Sequence, residues 1–176
     1  MEELGLIHLY CGDGKGKTTA AMGLALRAVG YGLRVGIIQF LKDGDSSELK
    51  ALETFPSVRI LSGKGVDGFT FQMTQEELEA VRQTHNQHLE QGIAWARKGA
   101  IDLLVLDEAV GTDRMGLLDH QLLLSFLREK PEGMEVVLTG RNPSEDLLEL
   151  ADYVSEVKKI KHPFDKGICA RDGIEK

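Results

Sequence analysis

Glycines followed by Lys and Thr are the residue types that handle phosphate, and residues 12 to 19 read Gly12-Asp13-Gly14-Lys15-Gly16-Lys17-Thr18-Thr19. A glycine-rich turn lets successive backbone N–H groups converge on phosphate oxygens, and the N-terminus of a following helix adds partial positive charge. Lys17 can then reach a phosphate and Thr18 can ligate Mg²⁺ or Mn²⁺. The hard oxygen partners such an ion needs are Asp107-Glu108, which close the apolar run Ile101 to Leu106 and so fall at the carboxyl edge of a sheet, where open α/β folds bind ligands. Two acidic residues ending a strand can also be merely solvated. The two segments together point to an ATP or GTP site with a divalent metal. One spacing departs from the common pattern: the glycine expected five residues before the Gly-Lys pair is Cys11, with Gly12 one step later. The cradle is therefore a variant, and γ-phosphoryl transfer does not follow from it.

The elements that must position these groups alternate between short β-branched runs and helical stretches, the pattern of βαβ units around a parallel sheet covered on both faces. Strands are expected at Leu6 to Tyr10, Arg34 to Phe40, Val58 to Leu61, Ile101 to Leu106, Glu135 to Thr139 and Tyr153 to Val157. The runs at 101–106 and 136–138 are nearly continuous, as in strands buried on both faces. Helices are expected after Lys17, with Ala20-Ala21-Met22 at the start, and at Ser46 to Thr54, Gln75 to Lys98, Asp119 to Glu129 and Pro143 to Leu150. Asp45 with Glu48, Thr74 with Glu77, and Asn142 with Glu145 read as reciprocal caps, the last with Pro143 at the first helical position. Residues 63–73 and the tail from Lys158 are expected to be irregular.

The 176 residues make one domain, 1–176, with 42% hydrophobic and 28% charged residues, globular proportions. Twenty-eight acidic against 21 basic residues give a net charge of −7, which argues against sequence-independent nucleic-acid binding. The tail from Lys158 carries six Lys/Arg and three Asp/Glu, a local +3 that leaves −10 on the remainder. No run approaches a membrane span, and the acidic Met1-Glu2-Glu3-Leu4 start lacks the basic region of a secretory signal, so a cytoplasmic setting is expected. Cys11 and Cys169 are too few for a disulfide framework and read as core residues or free thiols.

With these residues placed, the sequence resembles the ATP:corrinoid adenosyltransferases that use a variant phosphate loop. The resemblance runs through residues 12–21, Gln39-Phe40-Leu41-Lys42, Gly68-Phe69-Thr70-Phe71, Leu104-Val105-Leu106-Asp107-Glu108, Leu138-Thr139-Gly140-Arg141, Glu149-Leu150-Ala151-Asp152 and residues 161–168. It implies an α/β fold of the P-loop NTPase, RecA-like kind: an open, mostly parallel sheet of about six strands with helices on both faces. The activity it implies is transfer of the 5′-deoxyadenosyl group of ATP to the cobalt of a reduced corrinoid such as cob(I)alamin, with release of triphosphate. ATP lies reversed in that family's loop, which suits the displaced Gly12. The implied ATP-binding set is Gly12, Asp13, Gly14, Lys15, Gly16, Lys17, Thr18, Thr19 and Arg141; the implied metal contacts are Thr18 and Glu108, with Asp107 as a further partner. Phe69 and Phe71 match aromatics that press on the lower face of the corrinoid and leave four-coordinate cobalt. Lys17, Phe69, Phe71 and Glu108 are thus the expected catalytic set. The family commonly has Trp at the position of Phe71, and residues 109–116 diverge from it. The resemblance further implies a homodimer and an electron donor such as a reduced flavoprotein.

Other residues have plainer readings. His85 and His88 lack a third metal ligand and are expected on a helix surface. Trp95 is expected to pack in the core, and Lys158-Lys159 to be a solvated edge. Arg141 can hold a phosphate or form a structural salt bridge, and the role of His162 is open. Two rival functions use the same loop: a small-molecule kinase or ATPase with Glu108 as general base, and a binding module without turnover.

Overall fold

The computed structural model describes residues 5–42, 46–63 and 73–175. Six strands form, β1 (Ile7–Cys11), β2 (Val35–Gln39), β3 (Val58–Ser62), β4 (Leu103–Asp107), β5 (Glu135–Thr139) and β6 (Tyr153–Glu156), each within two residues of its expected start and end. They make one sheet in the order β3-β2-β4-β5-β1-β6, and every pairing is parallel. Strand β5 therefore stands between the phosphate-loop strand β1 and the acidic strand β4, the RecA-like arrangement.

Alternation along the strands assigns the helices to faces. Val35, Ile37, Leu103, Val105 and Val137 pack with Ala21, Met22, Ala25 and Ala28 of α1 (Lys17–Tyr31) and Leu49 and Leu52 of α2 (Ser47–Leu52). Ile38, Leu104, Leu106, Val136 and Leu138 face the other way. They meet α3 (Gln75–Arg97), α4 (Ala109–Arg114), α5 (His120–Glu129) and α6 (Glu145–Leu150), through Leu89, Ile93, Val110, Leu123, Leu127 and Leu147 among others. Half-buried Trp95 joins this second core, with the Arg59 guanidinium 6.0 Å from its ring centre. None of the described helices is long and apolar enough to cross a membrane.

The caps divide. Thr74 forms the expected box, its hydroxyl accepting from Glu77 N–H at 3.2 Å while Glu77 accepts from Thr74 N–H at 2.7 Å. Asp45 lies outside the described residues, and Ser46 holds the N-cap position of α2. The Asn142 cap does not form: Asn142 takes a left-handed turn at φ 54°, and α6 starts at Glu145, capped by Ser144, which accepts from Leu147 N–H. Two elements are additional to the expected set, α4 and a short 3₁₀ turn at Pro163–Lys166 within the tail. His85 is not on the surface either. It is 1% exposed, edge-on to Phe40, with Nδ1 3.3 Å from the Leu117 carbonyl. Burial lowers its pKa.

Helices α4, α5 and α6 are tied by one imidazole. His120 Nδ1 lies 2.9 and 3.0 Å from the two oxygens of Asp113, and Nε2 lies 3.3 Å from Asp146. Burial opposes the charged ring, but the two carboxylates outweigh it and raise the pKa above the usual 6.5. A raised pKa means that the stabilisation is complete below the unfolded value and fades as pH climbs through the folded one. Urea unfolding of wild type and His120→Ala should therefore show a gap in midpoint that is widest near pH 6 and narrows toward pH 9. A gap independent of pH would contradict the charged clasp.

Candidate active site

The phosphate loop leaves β1 at Cys11, which is buried and whose thiol is pushed up by that burial. Gly12 (φ 107°) and Gly16 (φ 120°) turn the chain so that α1 begins at Lys17, three residues before Ala20, and Lys17 and Thr18 sit in its first turn. The glycines at 12 and 14 are required by closeness as well: an added Cβ would lie 2.4 Å from the Val157 carbonyl oxygen at Gly12 and 2.8 Å from the Lys158 backbone at Gly14. The chain leaving β6 is strapped against the loop. Val157 N–H donates to the Cys11 carbonyl, Gly14 N–H donates to the Val157 carbonyl, both at 2.8 Å, and Lys159 N–H donates to Asp13 at 3.0 Å. That last bond holds the Asp13 carboxyl below its ordinary range. The Lys17 ammonium donates to the Gly14 carbonyl at 2.8 Å. Burial lowers its pKa, with Glu108 opposing and Arg141 adding to the fall. A neutral carbonyl is a weaker partner for it than a charged phosphate oxygen.

The acidic edge is built around Asp107, which is fully buried. Its Oδ1 accepts from the hydroxyls of Thr18 at 2.8 Å and Thr139 at 2.7 Å; its Oδ2 accepts from Gln39 Nε2 at 3.0 Å and Lys42 Nζ at 3.1 Å. Topology explains the set: Gln39 is the register partner of Asp107 on β2, and Thr139 ends the strand inserted between β1 and β4. Glu108 follows in a left-handed conformation (φ 61°), its N–H donating to Thr139 Oγ1 at 2.9 Å, and it heads α4. Burial and the neighbouring Asp107 raise its carboxyl pKa against the pull of Lys42, Lys17 and Arg141. Of the two carboxylates, the Thr18 hydroxyl touches Asp107, the one that the sequence ranked second. A fit to Mg²⁺ rests on this donor set: the ion keeps waters and uses one or two carboxylates with substrate phosphates. No group of three or more His, Cys, Asp and Glu that could hold a metal occurs among the described residues.

These groups open on a cleft of about 1450 Å³, larger than the roughly 300 to 1,000 Å³ typical of pockets for drug-sized ligands. Residues 13–19 and Glu108 form its floor; Arg141, Met22, Leu26 and α2 contribute to the walls, and the tail contributes His162, Phe164, Ile168 and Glu175. Arg141 makes no ion pair among the described residues. The tail does lie beside the anion loop, but part of its positive charge is already matched: Lys158 to Glu156, Lys159 to Asp165 and Arg171 to Glu175. Arg171 draws the Glu175 carboxyl down to about 2. His162 accepts from Phe164 N–H and caps the 3₁₀ turn.

The family model for "ATP:corrinoid adenosyltransferase BtuR/CobO/CobP" matches residues 3–175. The chain belongs to the ATP:corrinoid adenosyltransferase family. Among similar proteins is the corrinoid adenosyltransferase of Escherichia coli strain K12, 36% identical over 184 residues, which covers 99% of this chain and 87% of that one. Corrinoid adenosyltransferase CobA of Salmonella typhimurium is 37% identical over 183 residues, with the same coverage. The corrinoid adenosyltransferase of Pseudomonas aeruginosa is 32% identical over 181 residues, 99% of this chain and 85% of that one. Among solved structures, EssC (ATPases 2 and 3) from Geobacillus thermodenitrificans aligns with TM-score 0.50 and 16% identity over 97% of this chain. The chain spans about a third of EssC, 36%, and the likeness concerns the fold alone.

For this adenosyltransferase the structure brings Asp13 through Thr19, Glu108 and Arg141 around one cleft, with Asp107 buried behind it on Thr18, whereas Phe69 and Phe71 lie outside the described residues. Gln39, Lys42 and Thr139 were given no role by the sequence, although Gln39-Phe40-Leu41-Lys42 and Leu138-Thr139-Gly140-Arg141 stood among its distinctive segments. Gly12→Ala should cost about 1–3 kcal/mol, because the methyl meets backbone in a left-handed residue. Urea unfolding should report that loss and calorimetry a weaker ATP affinity; wild-type values in both would contradict the strapped loop.

Proposed function

We propose that this chain transfers the 5′-deoxyadenosyl group of ATP to the cobalt of a reduced corrinoid, cob(I)alamin or a cobinamide-type relative, and releases triphosphate. The family match across residues 3–175 carries the reading; the kinase and binding-module readings are not favoured. Cob(I) is itself an intense nucleophile, so no general base is needed. The protein has to align the metal with C5′ and stabilise charge on the departing triphosphate. Lys15, Lys17, Arg141 and the amides of residues 12–19 are assigned to that polyanion. Lys17 already aims into the loop, and its partner there is a carbonyl.

Mg²⁺ would be held by Thr18 with Asp107 or Glu108, and would supply further neutralisation of the leaving group. Phe69 and Phe71 are assigned to the lower face of the corrinoid, where a wedge that removes the axial ligand eases reduction of Co(II). A Phe covers less area than the Trp common at position 71. A homodimer, a reduced flavoprotein as electron donor and a cytoplasmic setting complete the proposal.

Incubation with ATP and chemically reduced cobalamin should yield intact triphosphate and a light-sensitive Co–C bond; ADP or inorganic phosphate would indicate the kinase or ATPase. Lys17→Ala should weaken ATP binding by roughly ten- to a hundredfold, the ~1.5–3 kcal/mol of one hydrogen bond to a charged group. Phe69→Ala should bind ATP normally and lose turnover when Co(II) and a mild reductant replace Co(I). Undiminished turnover there would remove the wedge.

A further inference from the structure

An ionised carboxylate has about four acceptor positions, and those of Asp107 are all taken: Thr18 and Thr139 on Oδ1, Gln39 and Lys42 on Oδ2. Three of the donors are neutral and fixed. Gln39 and Thr139 are fully buried; the Ser46 hydroxyl donates to Gln39 Oε1 at 3.0 Å, and Thr139 Oγ1 also accepts from Glu108 N–H. Thr18 is tethered by the first turn of α1. Lys42 differs in its charge and its long side chain. It is the single cation of the four, its side chain is 32% exposed, and it borders the cleft that holds the phosphate loop. It reaches Asp107 by way of Leu41, a non-glycine residue in a left-handed conformation (φ 57°). Such a conformation costs about 1–2 kcal/mol, and here it turns the chain so that Lys42 comes back over the ends of β2 and β4.

We infer that Lys42 is a positioning residue that closes the acidic edge to a lone divalent cation and yields it only to one arriving with a polyphosphate. A metal ion approaching Asp107 has to displace a donor, and of the two that border the cleft, Thr18 and Lys42, Lys42 is the charged one and lies outside the strands and helices. Without an anion nearby, displacement leaves the ammonium unpaired and sets two cations against each other. With a polyphosphate on Lys15, Lys17 and Arg141, Lys42 gains a charged oxygen as its new partner and the exchange becomes favourable. The inference rests on the polyphosphate site proposed above and needs no corrinoid chemistry.

Mn²⁺ binding to the nucleotide-free full chain, followed by the electron paramagnetic resonance signal of the free ion, tests it. Lys42→Met should bind Mn²⁺ at least about tenfold more tightly than wild type, a shift of one decade in Kd, while Lys42→Arg stays with wild type. Circular dichroism checks that each variant is folded. An unchanged or weakened Mn²⁺ affinity in folded Lys42→Met would overturn the inference. The wild-type protein provides a measurement independent of any variant: water-proton relaxation should report bound Mn²⁺ only once inorganic tripolyphosphate is added. Equally strong enhancement with Mn²⁺ alone would also overturn it. A chain that shows this metal behaviour yet forms no Co–C bond would refute the adenosyl-transfer reading and leave the role of Lys42 standing.

Discussion

Asp107 has no contact with water, and an ionised carboxyl in such a place costs several kcal/mol unless hydrogen bonds and a counter-charge offset the loss of hydration. That demand organises the carboxyl edge of the sheet. It requires a donor at the end of β2, met by Gln39, and a small donor at the end of β5, met by Thr139. From the first turn of α1 it requires the Thr18 hydroxyl, which reaches Oδ1 at 2.8 Å. The phosphate loop and the acidic strand are not sheet neighbours, so this carboxylate is what holds Thr18 in register with the acidic edge.

Much of this was legible because strands buried on both faces and glycine loops leave strong local signatures. The nearly continuous runs 101–106 and 136–138 marked central strands, and Glu135–Thr139 was bounded to the residue. Helix α4 was not legible. It has six residues and begins from a left-handed Glu108, and its place is set by Val110 packing near Gly140, a tertiary contact with no local pattern. The choice between Asn142 and Ser144 as cap turned on the left-handed turn that Asn142 makes as the chain leaves β5. His85 shows a signal that was present and unused. Leu89, Ile93 and Ala96 define the buried stripe of α3, and stepping back four residues from Leu89 reaches His85. The partners of Asp107 were hidden for a different reason, since only the register of β2 on β4 and the insertion of β5 bring them together.

Backbone strain gathers at the same edge. Leu41, Glu108 and Asn142 are the non-glycine residues with left-handed φ among those described, and they follow β2, β4 and β5. Conformations of this kind persist where the surroundings over-determine them. Here Lys42 bonds to Asp107 just beyond Leu41, and Glu108 is pinned through its own N–H to Thr139 and through its carbonyl to Thr112. The strain thus lies in the turns that aim Lys42, Glu108 and the neighbouring Arg141 at one cleft, while the strands beneath stay regular.

The strap from Val157 and Lys159 onto Gly14 and Asp13 joins segments about 145 positions apart in the chain, and β1 itself pairs only with β5 and β6. Contacts this distant form late, because the loop they close is long. The loop that grips nucleotide therefore takes its shape from residues far along the chain, so that loss of β6 or of the strap would loosen the phosphate site as well as the sheet edge.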